Sequence, residues 1–204
     1  MNNKVGRPSN RIQARESLIL AARDLFSRMP YEKVSIRLIA DRSGVSSALI
    51  KYYFDNKFGL FETMIVETFQ PISLKMRTAR NKEDFDSLAS VLRTFYQTMI
   101  QHPDYARLLY RVLTGSDSVT QKLRSEKIID AVYVSGSSLF FNNINTDRPS
   151  MDTDLLRLSF FSLMYFPFLA SEGMMTFNNF EMTPEFLQRL AAHNIELLKR
   201  SLLD

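Results

Sequence analysis

The stretch "SGVSSALIKYYFDNK", residues 43–57, decides the fold of the N-terminal part of this chain. Gly44 predicts a sharp turn, because glycine adopts positive φ angles without a steric penalty. Ser46 is a good N-cap and predicts a short helix from Ser46 to Phe54. Ile50 and Phe54 are four residues apart and share one face of that helix, which we expect to be buried. The stretch therefore predicts a helix that packs on a preceding helix through a glycine turn.

The opposite face of this predicted helix carries small polar, basic and phenolic side chains. We expect four of them to face solvent, namely Ser47, Ala48, Lys51 and Tyr52. Polar side chains of this kind contact base edges in the major groove of DNA, where a lysine donates to guanine or neutralises a phosphate. The pattern therefore favours a DNA-reading helix over a plain core helix.

Two helices are expected upstream of this stretch. Apolar residues at helical spacing predict an amphipathic helix from Arg11 to Arg28. Pro30 ends it, since proline cannot continue a helix. Ser35 is the expected N-cap of the second helix. The buried side of that helix should comprise Ile36, Ile39 and Ala40. Two short helices joined by a glycine turn describe a helix-turn-helix.

The remainder of the chain also shows helical spacing, without an alternating strand pattern. Helices are expected over residues 57–80, 83–101, 103–113, 118–141, 152–172 and 184–203, with polar loops over 141–150 and 175–183. We therefore predict an all-α fold with two domains. Residues 1–60 form an N-terminal three-helix helix-turn-helix DNA-binding domain, and residues 61–204 form a C-terminal helical domain.

Charge is distributed unevenly between these two parts. Residues 1–60 contain 11 Lys and Arg against 5 Asp and Glu, whereas residues 61–204 contain 15 against 17. A basic module on a nearly neutral body indicates a polyanionic partner at one end of the molecule. A merely solvated basic surface is the alternative.

Several protein classes are disfavoured by composition. The chain has no cysteine, which excludes disulfides, thiolate metal sites and cysteine nucleophiles and suits a cytoplasmic location. The opening segment is polar and predicts no secretory leader. The most apolar stretch, 155–170, is too short to span a membrane and contains Arg157 and Pro167. Neither His102 nor His193 has neighbours at metal-ligand spacing, so we expect no metal, no cofactor and no enzymatic activity.

The run from residue 18 to residue 65 resembles the DNA-binding domain of the TetR/AcrR family of bacterial transcriptional regulators. The matching segments are "AARDLF", "IRLIADRSGVS", "YYF" and "NKFGLF", in this order and spacing. The resemblance implies an all-helical homodimer that binds a double-stranded DNA operator. It also implies that the C-terminal domain binds a small molecule and dimerises through its last two helices.

Carried over by position, the resemblance assigns residues that contact DNA. Arg37 takes the second-helix position that reaches a base or a phosphate, and Tyr53 and Lys57 take positions that contact phosphates. With the helix caps and a basic N-terminal arm, the expected DNA-binding set is Lys4, Arg7, Arg11, Ser35, Arg37, Ser46, Ser47, Ala48, Lys51, Tyr52, Tyr53 and Lys57. Pro30 stands where the family commonly has glycine, Leu49 where it has a small hydroxyl, and Lys51 where it has tyrosine.

The basic arm has a motif of its own. Residues 6–8, Gly-Arg-Pro, resemble the core of an AT-hook, in which an extended arginine lies in a narrow A·T minor groove. Lys4, Arg7 and Arg11 are the expected arm residues. The alternative is a basic tail with nonspecific attraction to DNA.

The C-terminal domain is rich in aromatic residues and methionine, which suits a mostly apolar cavity for a hydrophobic or amphipathic effector. The candidate pocket residues are Phe95, Met99, Tyr105, Leu109, Tyr110, Leu113, Tyr133, Phe161, Met164, Tyr165 and Phe168, for each of which a core position is the alternative. Candidates for meeting an acidic group of the effector are Arg93, His102, Arg107 and Arg111, with plain surface positions as the alternative.

The last helix and the 152–172 helix are expected to form the dimer seam. The candidate interface residues are Phe160, Phe186, Leu187, Leu190, Ala191, Asn194, Leu197 and Leu198, with an intramolecular core helix as the alternative. The resulting hypothesis is a repressor that an apolar or amphipathic small molecule releases from a palindromic operator. The alternative is a DNA-binding architectural or protein-controlled factor of the same fold that has no small-molecule ligand.

Overall fold

The computed structural model describes residues 8–82, 84–125, 152–170 and 172–203. Within these ranges the secondary structure is entirely helical, as predicted. The helices are α1 Pro8–Arg28, α2 Ile36–Ser43, α3 Ala48–Phe54, α4 Lys57–Lys82, α5 Phe85–Gln101, α6 Asp104–Thr114, α7 Ser118–Ser125, α8 Thr153–Leu169, α9 Glu172–Phe177 and α10 Pro184–Leu203, with a 3-10 turn at Tyr31–Lys33. The rest of the helix expected over 118–141 and the loop expected over 141–150 lie outside the described residues.

Helices α1 to α4 form the N-terminal unit, in which α1 packs on α2, α3 and α4. Ile39 on α2 and Ile50 and Phe54 on α3 are buried against α1, which confirms the expected inner face of α3. The prediction for Ile36 is wrong, because its side chain is 39% exposed. Helical side chains lean toward the N-terminus, so a residue in the first turn projects beyond the core that later turns cover.

The turn between α2 and α3 follows from Gly44. Its φ of 67° is left-handed, and its N–H donates to the carbonyl of Ala40, which closes α2. Helix α3 begins at Ala48, two residues later than predicted. Ser46 still contributes, since its hydroxyl accepts from the Ala48 N–H at 3.4 Å and its carbonyl from the Leu49 N–H at 3.0 Å.

A two-residue turn joins α3 to α4. The side chain of Asn56 accepts from the Gly59 N–H at 3.0 Å and so caps α4. Gly59 is required by packing, because a Cβ at this position would collide with the carbonyl oxygen of Phe54. The first turn of α4 therefore lies directly against the last turn of α3.

The body surrounds α5, which packs between α4 and α10, while α8 packs on α5 and α6. Helix α6 lies against α1 and so connects the body to the N-terminal unit a second time. Helix α4 contains Pro71, and the predicted domain boundary at residue 60 falls inside its first turn. The polar loop predicted over 175–183 begins instead inside α9, which ends at Phe177.

Candidate nucleic-acid interface and effector cavity

The outer face of α3 presents the side chains expected to read DNA. Ser47, Ala48, Lys51 and Tyr52 are all exposed, and Tyr52 is 67% accessible. The ring of Tyr52 meets that of Tyr53 edge-on, with centroids 4.9 Å apart. Within the described part of the chain, Lys51 forms no ion pair. This face therefore combines a cation, a phenol and small groups above a buried apolar face.

Helix α2 places Arg37 beside this face. Its side chain is 90% exposed and its guanidinium is 3.9 Å from the Asp41 carboxylate, a loose surface pair of little energetic value. Arg37, Ser46 and Ser47 line one open depression of about 530 Å³. Ser35 accepts from the Leu38 N–H at 3.0 Å, so its oxygen serves as the cap of α2.

Lys57 differs from the exposed phosphate contact that the resemblance implied. Its ammonium donates to the carbonyls of Tyr31 and Val34, at 3.0 and 2.9 Å, and lies 3.9 Å from the centre of the Tyr31 ring. Burial lowers the pKa of Lys57, while nearby Glu32 acts in the opposite direction. Two of its three N–H donors are thus used to hold the segment between α1 and α2.

Part of the basic charge of the N-terminal unit is used inside the protein. Asp24 on α1 binds Arg28 and Arg42, each at 2.8 Å, and Arg15 binds Glu67 on α4 at 2.6 Å. The expected arm residues Lys4 and Arg7 lie outside the described residues, and only the backbone of Arg11, in α1, is described. The α2 and α3 cations that remain on the outer face are Arg37 and Lys51.

Most candidate pocket residues belong to the core of the body. Those fully buried are Phe95, Met99, Tyr105, Leu109 and Met164, while Leu113, Phe161 and Tyr165 pack partly buried against them. Phe95 contacts the rings of Tyr165 and Phe168, at centroid distances of 5.2 and 5.6 Å. Aromatic side chains that pack edge-on in this way fill the interior themselves. Tyr133 lies outside the described residues.

A cavity of about 940 Å³ lies between α6, the C-terminal end of α8 and the segment from α9 to α10. Of the candidate pocket residues, Tyr110 and Phe168 line it. Its polar lining side chains include Arg107, Arg111, Thr176, Glu181 and Thr183, and its apolar ones include Pro167, Leu169, Met175, Phe180 and Met182. The cavity therefore pairs a basic wall on α6 with an apolar wall.

A second cavity of about 300 Å³ adjoins it, and its lining is almost wholly apolar. The two cavities share Pro167, Met175, Phe180 and Met182. The second one is completed by Ser162, Leu163, Phe166, Phe186, Leu190 and Asn194. The prediction of a polar loop over 175–183 did not include this shared wall, although the segment contains two methionines and two phenylalanines.

A hydrogen-bond network of three polar groups lies beside the smaller cavity, around the carbonyl of Leu163. Pro167 has no N–H, so the Leu163 carbonyl four residues earlier has no helical donor. The Tyr96 hydroxyl donates to this carbonyl at 2.9 Å, and the Asn194 side-chain amide donates to both, at 2.9 Å to Tyr96 and 3.3 Å to Leu163. Burial raises the pKa of Tyr96 to about 12, partly offset by the bond from Asn194.

Most of the candidate dimer residues are buried within the protomer, which differs from the prediction. Phe160, Leu187, Ala191, Asn194 and Leu198 are buried in the chain's own core, where α10 packs on α5. Phe186 and Leu190 are half-buried, and Leu197 is exposed. The prediction overlooked that α10 has a second apolar edge beside the face that the body buries. The large apolar side chains that remain exposed on the described residues of α8 and α10 are Leu155, Leu158, Phe166, Leu169 and Leu197.

Among the described helices, none has both the length and the apolar character that a bilayer span requires. The model of the family described as "Bacterial regulatory proteins, tetR family" matches residues 18–64. A curated protein of Bacillus subtilis (strain 168), described as "Probable HTH-type transcriptional regulator YttP", is 24% identical over 128 residues. That match spans 61% of this chain and 62% of the relative.

Solved structures share the fold over nearly the whole chain. NalD of Pseudomonas aeruginosa, described as the secondary repressor of the MexAB-OprM multidrug efflux pump, has a TM-score of 0.67 at 18% identity, covering 95% of this chain and 97% of that one. FadR of Bacillus subtilis, in complex with stearoyl-CoA, has a TM-score of 0.61 at 20% identity, covering 90% and 96%. The helix-turn-helix geometry and the family match agree: residues 18–64 form a DNA-binding domain of the tetR family of bacterial regulatory proteins, on a chain that shares its overall fold with the solved structures above.

Proposed function

We propose that this chain is a cytoplasmic, homodimeric transcriptional repressor without enzymatic activity, which an amphipathic small molecule releases from a palindromic operator. The observation that carries the proposal is the outer face of α3, where exposed Lys51 and Tyr52 stand on a helix whose inner face is buried in α1. A helix held in this way enters a major groove while its neighbours contact the backbone. The relatives named above are described as regulators or repressors.

Base reading is assigned to Lys51, Ser47 and Ala48, and phosphate contacts to Arg37, Tyr52 and Tyr53. Lys51 is suited to guanine O6 and N7, and one such contact is worth about 1–3 kcal/mol of discrimination against other bases. One recognition helix makes few contacts, so a dimer with half-sites about 34–36 Å apart is the natural reading unit. Lys57, which is bonded to two carbonyls, is proposed to hold the fold and to offer a phosphate at most its third N–H.

Dimerisation is assigned to the exposed apolar edge of α8 and α10. Leu155, Leu158 and Phe166 lie on α8 at helical spacing, and Leu197 lies on α10. Leu158 is 65% exposed, which costs free energy in a protomer alone and is relieved when a second copy covers it. Interfaces between two-fold copies use the same patch on both subunits, as this edge permits.

The two adjoining cavities are assigned to the effector. A basic wall on α6 and an almost wholly apolar second chamber suit a molecule with a polar head and an apolar body. The likeness to FadR, whose structure contains stearoyl-CoA, is compatible with an effector of this kind.

The proposal is tested by selecting duplexes from a random pool with the purified protein at two salt concentrations. A palindromic consensus is expected. If each dimer neutralises about eight phosphates, the logarithm of the affinity should fall with the logarithm of the salt concentration at a slope of about −7. Lys51→Met should relax the preference at one position of each half-site. Lys75→Met, on the exposed side of α4 away from α3, is the matched control. Uniform enrichment of all sequences with a steep salt loss would favour the architectural alternative.

A further inference from the structure

The carbonyl of Phe26 lies at the C-terminal end of α1 and has no helical donor. The residue four positions later is Pro30, which carries no N–H, while the preceding carbonyl, of Leu25, accepts from Met29 at 2.9 Å. The guanidinium of Arg111, on α6, donates to the Phe26 carbonyl at 2.8 Å. A cation at a helix C-terminus also interacts favourably with the helix dipole. An arginine of the body thus completes a helix of the DNA-binding unit.

Arg111 does not act alone between these two helices. Arg23 of α1 lies over the ring of Tyr105 on α6, 5.4 Å from its centre, and Arg28 is 4.0 Å from the Asp104 carboxylate. These contacts involve exposed or partly screened charges. The bond from Arg111 is distinct because it satisfies a main-chain group that has no helical donor.

Arg111 also lines the larger cavity. Arg107, one turn earlier on the same face of α6, is exposed there, and Tyr110 lies beside it. Glu181 on the opposite wall is the acidic side chain among the described lining residues, so two guanidiniums face one carboxylate. The cavity therefore has a net positive wall, and one of its two cations is the residue that holds α1.

We propose that Arg111 couples effector binding to DNA release: the anionic head of an amphiphile competes with the Phe26 carbonyl for its guanidinium. The inference rests on the proposed function and specifies the effector as a carboxylate or phosphate with an apolar tail. An anionic group attracts a guanidinium more strongly than a neutral carbonyl does, and its bonds to arginine are often bidentate. Arg107 holds the head in both states, whereas Arg111 changes partners.

The exchange gives the effector unequal affinity for two states, which is the condition for any ligand-driven shift. When the Arg111 guanidinium donates to the anion instead, the Phe26 carbonyl loses its donor and α1 loses this bond to α6. The N-terminal unit then moves relative to the body, and its recognition helix leaves the position set by α6. The apolar tail lies in the smaller chamber, so an uncharged molecule of the same length binds without releasing α1.

The test uses laurate and 1-dodecanol as matched probes, below the micellar range of laurate, with Arg111→Met and Arg107→Met compared. In the wild type, laurate should weaken binding to the selected operator by about tenfold and dodecanol by less than about twofold. Arg111→Met lacks the bond to Phe26 from the start, so it should bind the operator more weakly than the wild type even without laurate. It should still bind laurate through Arg107, but added laurate should change its operator affinity by less than about twofold. The Arg107→Met variant should need a higher laurate concentration for release from the operator, but saturating laurate should still release it fully.

Hydrogen exchange gives a second readout that needs no operator. Laurate should speed exchange of the amides of residues 26–34 in the wild type and leave them unchanged in Arg111→Met. Full laurate-driven release from Arg111→Met, equal release by dodecanol, or no laurate binding to the wild type would each overturn the coupling. If the wild type selects an operator but laurate does not change its affinity for it, the proposed coupling is wrong and the DNA-binding function still stands. If the wild type selects no operator, the proposed function is wrong. Hydrogen exchange then still tests whether laurate displaces Arg111 from the Phe26 carbonyl.

Discussion

The body and the N-terminal unit each contain a carbonyl that a proline leaves without a helical donor, and they satisfy it differently. In the body, Leu163 is bonded by two neutral groups, Tyr96 and Asn194, both buried. At the end of α1, Phe26 is bonded by the charged and half-buried Arg111 at a cavity wall. A buried neutral donor has no competitor, whereas a guanidinium beside a cavity can be taken by an anion. The first arrangement fixes the fold, and the second can be switched.

The largest effect should come from breaking the fixed arrangement. Tyr96→Phe removes the 2.9 Å bond to the Leu163 carbonyl and deprives Asn194 of an acceptor. The free energy of unfolding should fall by about 1–3 kcal/mol, measured by urea denaturation. Tyr110→Phe, at an exposed tyrosine on α6, is the control and should change it by less than about 0.5 kcal/mol. An equal effect of the two substitutions would contradict the assignment.

The burial of Tyr96 also gives the protein an alkaline limit. The unfolded pKa of tyrosine is about 10, and burial raises that of Tyr96 to about 12. A raised pKa in the folded state means that its stabilising contribution is complete below pH 10 and is lost as pH rises toward 12. Denaturation between pH 8 and pH 12 should show this loss reduced in Tyr96→Phe. Identical pH profiles would assign the loss to other groups, such as Tyr31 and Tyr105, whose pKa values burial also raises.

An intermediate effect is expected at the lysine that serves the N-terminal segment. Lys57→Met leaves the carbonyls of Tyr31 and Val34 to water, and the loss in unfolding free energy should be about 1 kcal/mol. Because this role is structural, operator affinity under folding conditions should fall far less than in Lys51→Met. If Lys57→Met instead lowered the salt slope of operator binding, the phosphate role implied by the resemblance would be restored.

The smallest effect should come from giving a proline-freed carbonyl its donor back. Pro167→Ala supplies an N–H four residues after Leu163, so the carbonyl no longer depends on Tyr96. A double-mutant cycle should then show the cost of Tyr96→Phe reduced to about half or less. Purely additive effects would mean that the backbone at residue 167 does not return to helical bonding.

How far the sequence predicted this arrangement depends on how local each signal is. Gly44 and Ser35 act on residues three or four positions away, and the helix-turn-helix was predicted from such local signals with small errors at its ends. The partner of Lys57 is 26 residues away in sequence and that of Arg111 is 85 residues away, so no local pattern indicates either. The prolines that free the carbonyls were visible, but their distant donors were not.

The proposed effector site shows the same limit for apolar residues. Phe95, Met99 and Met164 have the spacing and chemistry of pocket residues, and they are buried in the core because neighbouring helices cover them. Helix α10 has apolar residues on more than one side, and only the packing of α5 decides that Leu187 and Leu198 are internal while Leu197 is exposed.

The close contact at Gly59 also has a consequence for distances along DNA. With the start of α4 against the carbonyl of Phe54, α3 follows whatever tilt α4 takes. Helix α4 has 26 residues and so a length of about 39 Å. A tilt of about 5° over that length displaces the far end by about 3 Å, close to the rise of one base pair, which is about 3.4 Å. In the proposed dimer, small angular changes in the body would therefore correspond to whole base-pair steps between the two half-sites.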